Sequence, residues 1–133
     1  MKKILIPVFA IIVGFTFYNF NTPVIKNSNQ YNSLDSIPMP ENVNTIVQHS
    51  CYGCHNSKSK NEKAKDKFQF DELHSLSTFK VVGKMSDVQK ELNKNKMPPK
   101  KFLEKYPDRA LSDEDKTTLL NWAKETSDNL TGK

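Results

Sequence analysis

Cysteine is scarce in this chain: there are two, Cys51 and Cys54, three positions apart. So short a separation excludes a disulfide framework linking distant segments, and any use of the thiols must be local. Arginine is scarcer still, since Arg109 stands alone beside nineteen lysines. A net charge of +5 built almost wholly from lysine lacks the planar forks that phosphate and base recognition favour, so nucleic-acid binding is not expected. Period-two apolar runs and hairpin turn signals are missing, which argues against a sheet, and there is no internal repeat. With 133 residues, 36% of them hydrophobic and 26% charged, the chain has room for one small domain whose core would be thin without an added stabilising element. A large multi-domain enzyme is excluded.

What is present begins with an apolar run. Lys2 and Lys3 are followed by no charged residue until Lys26, and thirteen of the seventeen residues from Ile4 to Phe20 are apolar. The uncharged stretch would reach about 33 Å as a helix, enough to cross a bilayer, although Pro7, Gly14 and Asn19 weaken it. The best cleavage-site match is the weak Gly14-Phe15-Thr16, so an uncleaved anchor is favoured over a removed signal peptide. The two leading lysines predict that the start of the chain stays cytoplasmic and that the rest lies in the periplasm or extracytoplasmic space. Residues 21–40 are rich in Asn, Ser and Pro. The expected organisation is therefore an anchor or signal segment over 1–25, a flexible tether over 26–40 and a domain over 41–133.

The domain reads as all-α. Val43, Ile46 and Val47 share one helix face just before the cysteines, whereas residues 56–67 carry no large apolar side chain and read as a solvated loop. Leu73, Leu76 and Phe79 suggest a short helix ended by Gly83, after which Ser86 and Gln89 resemble a capping box opening another that contains Val88 and Leu92 and stops at Pro98-Pro99. Ser112 precedes an acidic turn of Asp113, Glu114 and Asp115, and so predicts a last helix with Leu119, Trp122 and Ala123 on its inner face.

Cys51-Tyr52-Gly53-Cys54-His55 has the C-x-x-C-H form of a c-type haem attachment site. Two thiols at i and i+3 can each add to one haem vinyl group, and the histidine directly after the second is held beneath the iron. Gly53 allows the backbone to pass close to a flat ring. Three other uses compete. Zinc could be held by Cys51, Cys54 and two of His49, His55 and His74, but exported thiols are rarely kept reduced. A thioredoxin-like pair would want a βαβ context, and a disulfide across so short a loop would stabilise little. None of these needs His55.

For a sixth iron ligand, Met97 in Lys96-Met97-Pro98-Pro99 is the first choice, because prolines stiffen a loop that could carry sulfur to the far face of the ring. His74 offers a bis-histidine alternative, and His49 lies too near the attachment site to cross the ring. Met39 falls in the tether and Met85 follows Gly83 in an exposed-looking turn, so neither competes well.

The stretch from Glu41 to about Thr126 resembles the bacterial haem-binding-domain family of small single-haem c-type cytochromes. The matching pieces are the attachment motif with Tyr52, Phe68-Gln69-Phe70, Met97-Pro98-Pro99, and Tyr106-Pro107-Asp108-Arg109-Ala110-Leu111-Ser112 leading to Leu119 and Trp122. A lysine-rich loop stands after His55 where the family commonly has a segment containing Trp and Pro. The resemblance implies a small cytochrome c-like helical fold around one covalently attached haem c, with Cys51 and Cys54 as anchors and His55 and Met97 as iron ligands. With both axial positions filled there is no open site for a small-molecule substrate, so electron transfer is expected and enzymatic catalysis is not. The main rival is a haem-based ligand sensor or peroxidase-like enzyme, which needs a displaceable sixth ligand. The partners expected are redox proteins, acidic ones if the lysines around Met97 take part in docking, and the membrane through the N-terminal helix.

Overall fold

The computed structural model describes residues 37–133, and the expected membrane anchor lies outside them. Among the described residues five α-helices form, α1 (Glu41–Ser50), α2 (Glu62–Lys67), α3 (Thr78–Asn93), α4 (Lys100–Leu103) and α5 (Asp113–Thr131). Two 3-10 turns, Phe70–Ser75 and Pro107–Arg109, lie between them, and there is no strand among the described residues. The all-α expectation holds. No helix among the described residues is long and apolar enough to cross a membrane.

Helix α3 packs along α5, and α1 packs on α5 as well. Each contributes the stripe its spacing dictates: Val43 and Val47 from α1, Val81, Met85 and Leu92 from α3, and Leu119, Trp122 and Ala123 from α5. Phe68 and Leu73 close the core from the connecting segment. Residues 37–40, within the expected tether, lie against the domain, where Ile37 and Met39 pack on the core and the Trp122 Nε1–H donates to the Pro38 carbonyl at 3.1 Å.

Three local expectations are corrected. The segment over 56–67 is not wholly loop, since Asn61 caps the short helix α2 by accepting from the Ala64 N–H. Gly83 does not end a helix: α3 runs straight through it, and Ser86 is exposed mid-helix rather than a cap. An interior glycine costs about 1 kcal/mol relative to alanine, less than burying the stripe Val81, Met85, Val88 and Leu92 returns. Met85 is accordingly fully buried core and not part of an exposed turn. The prolines do not stop α3 either. Asn95 adopts the left-handed conformation (φ 52°), the Lys96 N–H donates to the Glu91 carbonyl and the Asn95 N–H to the Leu92 carbonyl, a Schellman termination two residues before Met97.

At α5 the reading was close. The Ser112 hydroxyl accepts from the Asp115 N–H at 3.0 Å while the Asp115 carboxylate accepts from the Ser112 N–H at 3.1 Å, and Gly132 (φ 72°) closes the other end.

Candidate functional site

Helix α1 delivers the attachment segment. The motif continues directly from the helix, as the N–H groups of Cys51 and Tyr52 both donate to the Val47 carbonyl of α1 and those of Cys54 and His55 to the Cys51 carbonyl. The motif is thus a tight turn seated on a helix end. Cys51, Cys54 and His55 are half-buried, and the two thiols are free. Burial, and next the charge of Cys54, push the Cys51 thiol up to about 12. Disulfide-exchange cysteines have depressed values, so a thioredoxin-like role does not suit this pair. A zinc site fails on geometry: no group of three or more His, Cys, Asp and Glu side chains among the described residues could hold a metal ion.

His55 is fixed from three sides. Its Nδ1 lies 3.1 Å from the Phe68 carbonyl, which can only accept, so Nδ1 carries the proton and the neutral ring keeps its lone pair at Nε2. The Phe70 N–H donates to the His55 carbonyl at 3.0 Å. Phe68 and Phe70 stand edge-on to the imidazole, with centroids 6.1 and 6.5 Å away, and Phe70 stacks in turn towards Trp122 at 6.4 Å. Just beyond, the Asp71 carboxylate accepts from the Ser57 N–H at 3.0 and 3.1 Å and from the Ser57 hydroxyl. Partial burial works to raise the Asp71 value, but the Ser57 hydroxyl and N–H, the residue's own N–H and the nearby Lys58 charge outweigh it and hold the carboxyl below its usual range.

Met97 is 37% exposed at the start of the segment that leads through α4 to the turn Pro107–Arg109. His74 is exposed on the first 3-10 turn. His49 faces neither, since its Nε2–H donates to the Asp108 carbonyl at 2.7 Å. Gly53 is exposed, and a Cβ built there would meet nothing within 4 Å, so packing within the domain gives no reason for a glycine.

The donor set fits haem. Two free thiols at i and i+3 would hold the ring edge, the Nε2 lone pair of a tautomer-locked histidine would meet the iron, and bare backbone at Gly53 leaves space for a flat group. Sequence alone gives Phe68 and Phe70 no role; the Phe68 carbonyl, the Phe70 amide and both rings orient His55. Asp71, sixteen residues past His55, leaves no local pattern in the sequence, and Arg109 stands out there only as the single arginine.

A helical domain that presents a C-x-x-C-H turn against an aromatic cluster is of the haem-binding class. The model of the haem-binding domain family matches residues 58–125, and the chain belongs to that family. The match takes in Phe68, Asp71, Met97, Arg109 and Trp122 and begins three residues after His55, a narrower span than the resemblance from Glu41 suggested. No curated protein and no solved structure matches the chain.

Proposed function

We propose that the domain is a single-haem c-type cytochrome that passes electrons on the extracytoplasmic side of a membrane, anchored by residues 1–25 and tethered by residues 26–40. The reading is carried by one observation: His55, directly after Cys54, has its Nδ1 proton committed to the Phe68 carbonyl and its Nε2 lone pair available. Cys51 and Cys54 would hold the haem covalently through their sulfurs, and His55 and Met97 would supply the protein's donors to its iron. Once bound, the haem contributes a one-electron ferric/ferrous couple whose potential a methionine sulfur raises. The chain's own part is positional: Phe68 and Phe70 hold the imidazole, and α1 holds the thiols. No side chain is assigned the work of a catalytic acid, base or nucleophile. The partners are redox proteins, and the exposed Lys94, Lys96, Lys100, Lys101 and Lys105 around Met97 favour acidic ones.

The exposure of Met97 favours a second reading, a ligand sensor or peroxidase-like enzyme in which the sulfur gives way. Carbon monoxide binding to the ferrous protein separates the two: the carrier leaves it weak and slow, the sensor makes it fast and tight.

The test is an absorption spectrum of the purified ferric and ferrous protein with a haem stain of the denatured chain. Wild type retains the stain and shows a weak far-red charge-transfer band in the ferric form. Cys51→Ala with Cys54→Ala abolishes the stain, Met97→Ala abolishes the band, and His74→Ala leaves both. Full haem retention in the double cysteine variant would end the covalent reading, and a spectrum that follows His74 instead of Met97 would make the ligand set bis-histidine.

A further inference from the structure

The end of α1 and the turn Pro107–Arg109, which closes the stretch of chain that follows Met97, are fastened by a reciprocal pair of hydrogen bonds. The His49 Nε2–H donates to the Asp108 carbonyl at 2.7 Å, and the Arg109 guanidinium donates back to the His49 carbonyl at 2.7 Å, joining positions 59 and 60 residues apart. Arg109 also lies 3.6 Å from the Asp108 carboxylate. His49 is two residues before Cys51, so the α1 side of this contact is the base of the attachment turn.

The other side is a connected unit. From Pro99 to Ala110 the backbone is linked by successive short-range bonds, among them Glu104 to Lys100, Tyr106 to Phe102, Arg109 to Tyr106 and Ala110 to Pro107. Helix α4 packs on the turn Pro107–Arg109, and Phe102 lies against Tyr106 with the rings tilted at 38° and centroids 5.0 Å apart. Met97 stands two residues ahead of this unit, joined to it through Pro98, and Arg109 lies at its far end. The chain just before Met97 has a tie of its own, the Lys116 ammonium donating to the Asn95 side-chain oxygen at 2.7 Å. The chain spends its one arginine where a fork can meet a helix-terminal carbonyl that would otherwise lack a partner.

We infer that His49 and Arg109 are positioning residues for the sixth iron ligand: they clasp the Met97 segment to the helix that carries His55, so that the sulfur is held towards the haem and exchanges slowly with outside ligands. The inference rests on the proposed role of Met97. A methionine on an exposed loop gives way whenever its segment swings out, and the clasp adds the cost of two hydrogen bonds to that movement.

The experiment is titration of the ferric holoprotein with imidazole, followed by loss of the far-red band. His49→Phe with Arg109→Gln binds imidazole at least about fivefold more tightly than wild type, the factor that one ordinary net hydrogen bond is worth. Arg109→Lys, which keeps the charge but not the fork, moves the same way by less and serves if the double variant does not accumulate. Leu130→Ala, at the opposite end of α5, lowers the melting temperature without changing imidazole affinity, which separates positioning from general loosening. Unchanged affinity in the double variant, or an equal change in Leu130→Ala, overturns the clasp. Met97→Ala tells the two failures apart: if it binds imidazole more tightly while the double variant does not, only the clasp is wrong, and if it binds no more tightly than wild type, the Met97 assignment fails and takes the clasp with it.

Discussion

Removing the Asp71 carboxylate should unfasten the loop that follows His55, and the cost can be worked from the contacts. Two groups of Ser57, the N–H at 3.0 and 3.1 Å and the hydroxyl, are bound to a charged acceptor. In a buried site each such bond would contribute about 1.5–3 kcal/mol, but Asp71 is only part-buried and water competes, so Asp71→Ala should cost about 2 kcal/mol in all. For a domain of this size that lowers the melting temperature by about 10 °C. Asp71→Asn keeps one acceptor oxygen and loses the charge, and about half the cost remains. The pH dependence has a definite sign. Because the folded carboxyl titrates below its ordinary value, its contribution is complete above the unfolded value of about 4 and is lost as pH falls through the lower folded value. Urea unfolding of holoprotein at pH 7, 5, 4 and 3 measures the difference between wild type and Asp71→Ala, in which the other carboxylates cancel. The gap should be constant from pH 7 to 5 and narrow below about 4. A gap that is as wide at pH 3 as at pH 7, or none at pH 7, would refute the clamp.

Three further outcomes are expected. Met85→Ala, at a fully buried position, should cost about 2–5 kcal/mol in urea unfolding yet leave the ferric spectrum unchanged, and a lost far-red band would make Met85 a ligand rather than core. The intact protein should stay with membranes through a high-salt wash and begin at or near Met1, whereas a soluble product starting near Phe17 would mean a cleaved signal. Electron transfer to an acidic acceptor should slow with rising ionic strength, and slow also in Lys96→Glu with Lys100→Glu; a rate indifferent to both would leave these lysines as solubilising charge.

How much of this was legible in the sequence depends on how local the signal is. Ser112 with its acidic first turn, and the i, i+3, i+4 stripe of Val43, Ile46 and Val47, lie within single helices, and those helices form as read. The C-x-x-C-H turn is equally local. Gly83 misled because its propensity argues for a break while the stripe across it, from Val81 to Leu92, argues for continuity, and buried area outweighs one glycine. Met85 was misplaced by the same error. The prolines after Met97 drew attention from Asn95, whose left-handed backbone ends α3 first. Asp71 and Ser57, or His49 and Arg109, meet through the fold, and contacts across 14 and 60 residues have no period to betray them. A solitary arginine in a lysine-rich chain was the one available hint.

The indole hydrogen bond from Trp122 to Pro38 spans 84 residues, and α1 finds its packing surface on α5. The first element of the domain therefore depends on the last. Chains emerge N-terminus first, and a ten-residue helix such as α1 is marginal without tertiary support. From the time Cys51 and Cys54 appear until Trp122 arrives, the turn bearing them can meet Phe68 and Phe70, but α1 beneath it lacks its packing surface on α5. The helix beneath the C-x-x-C-H turn therefore becomes fixed only when nearly the whole domain has been made, and a chain cut short before Trp122 would leave that turn on an unsupported helix.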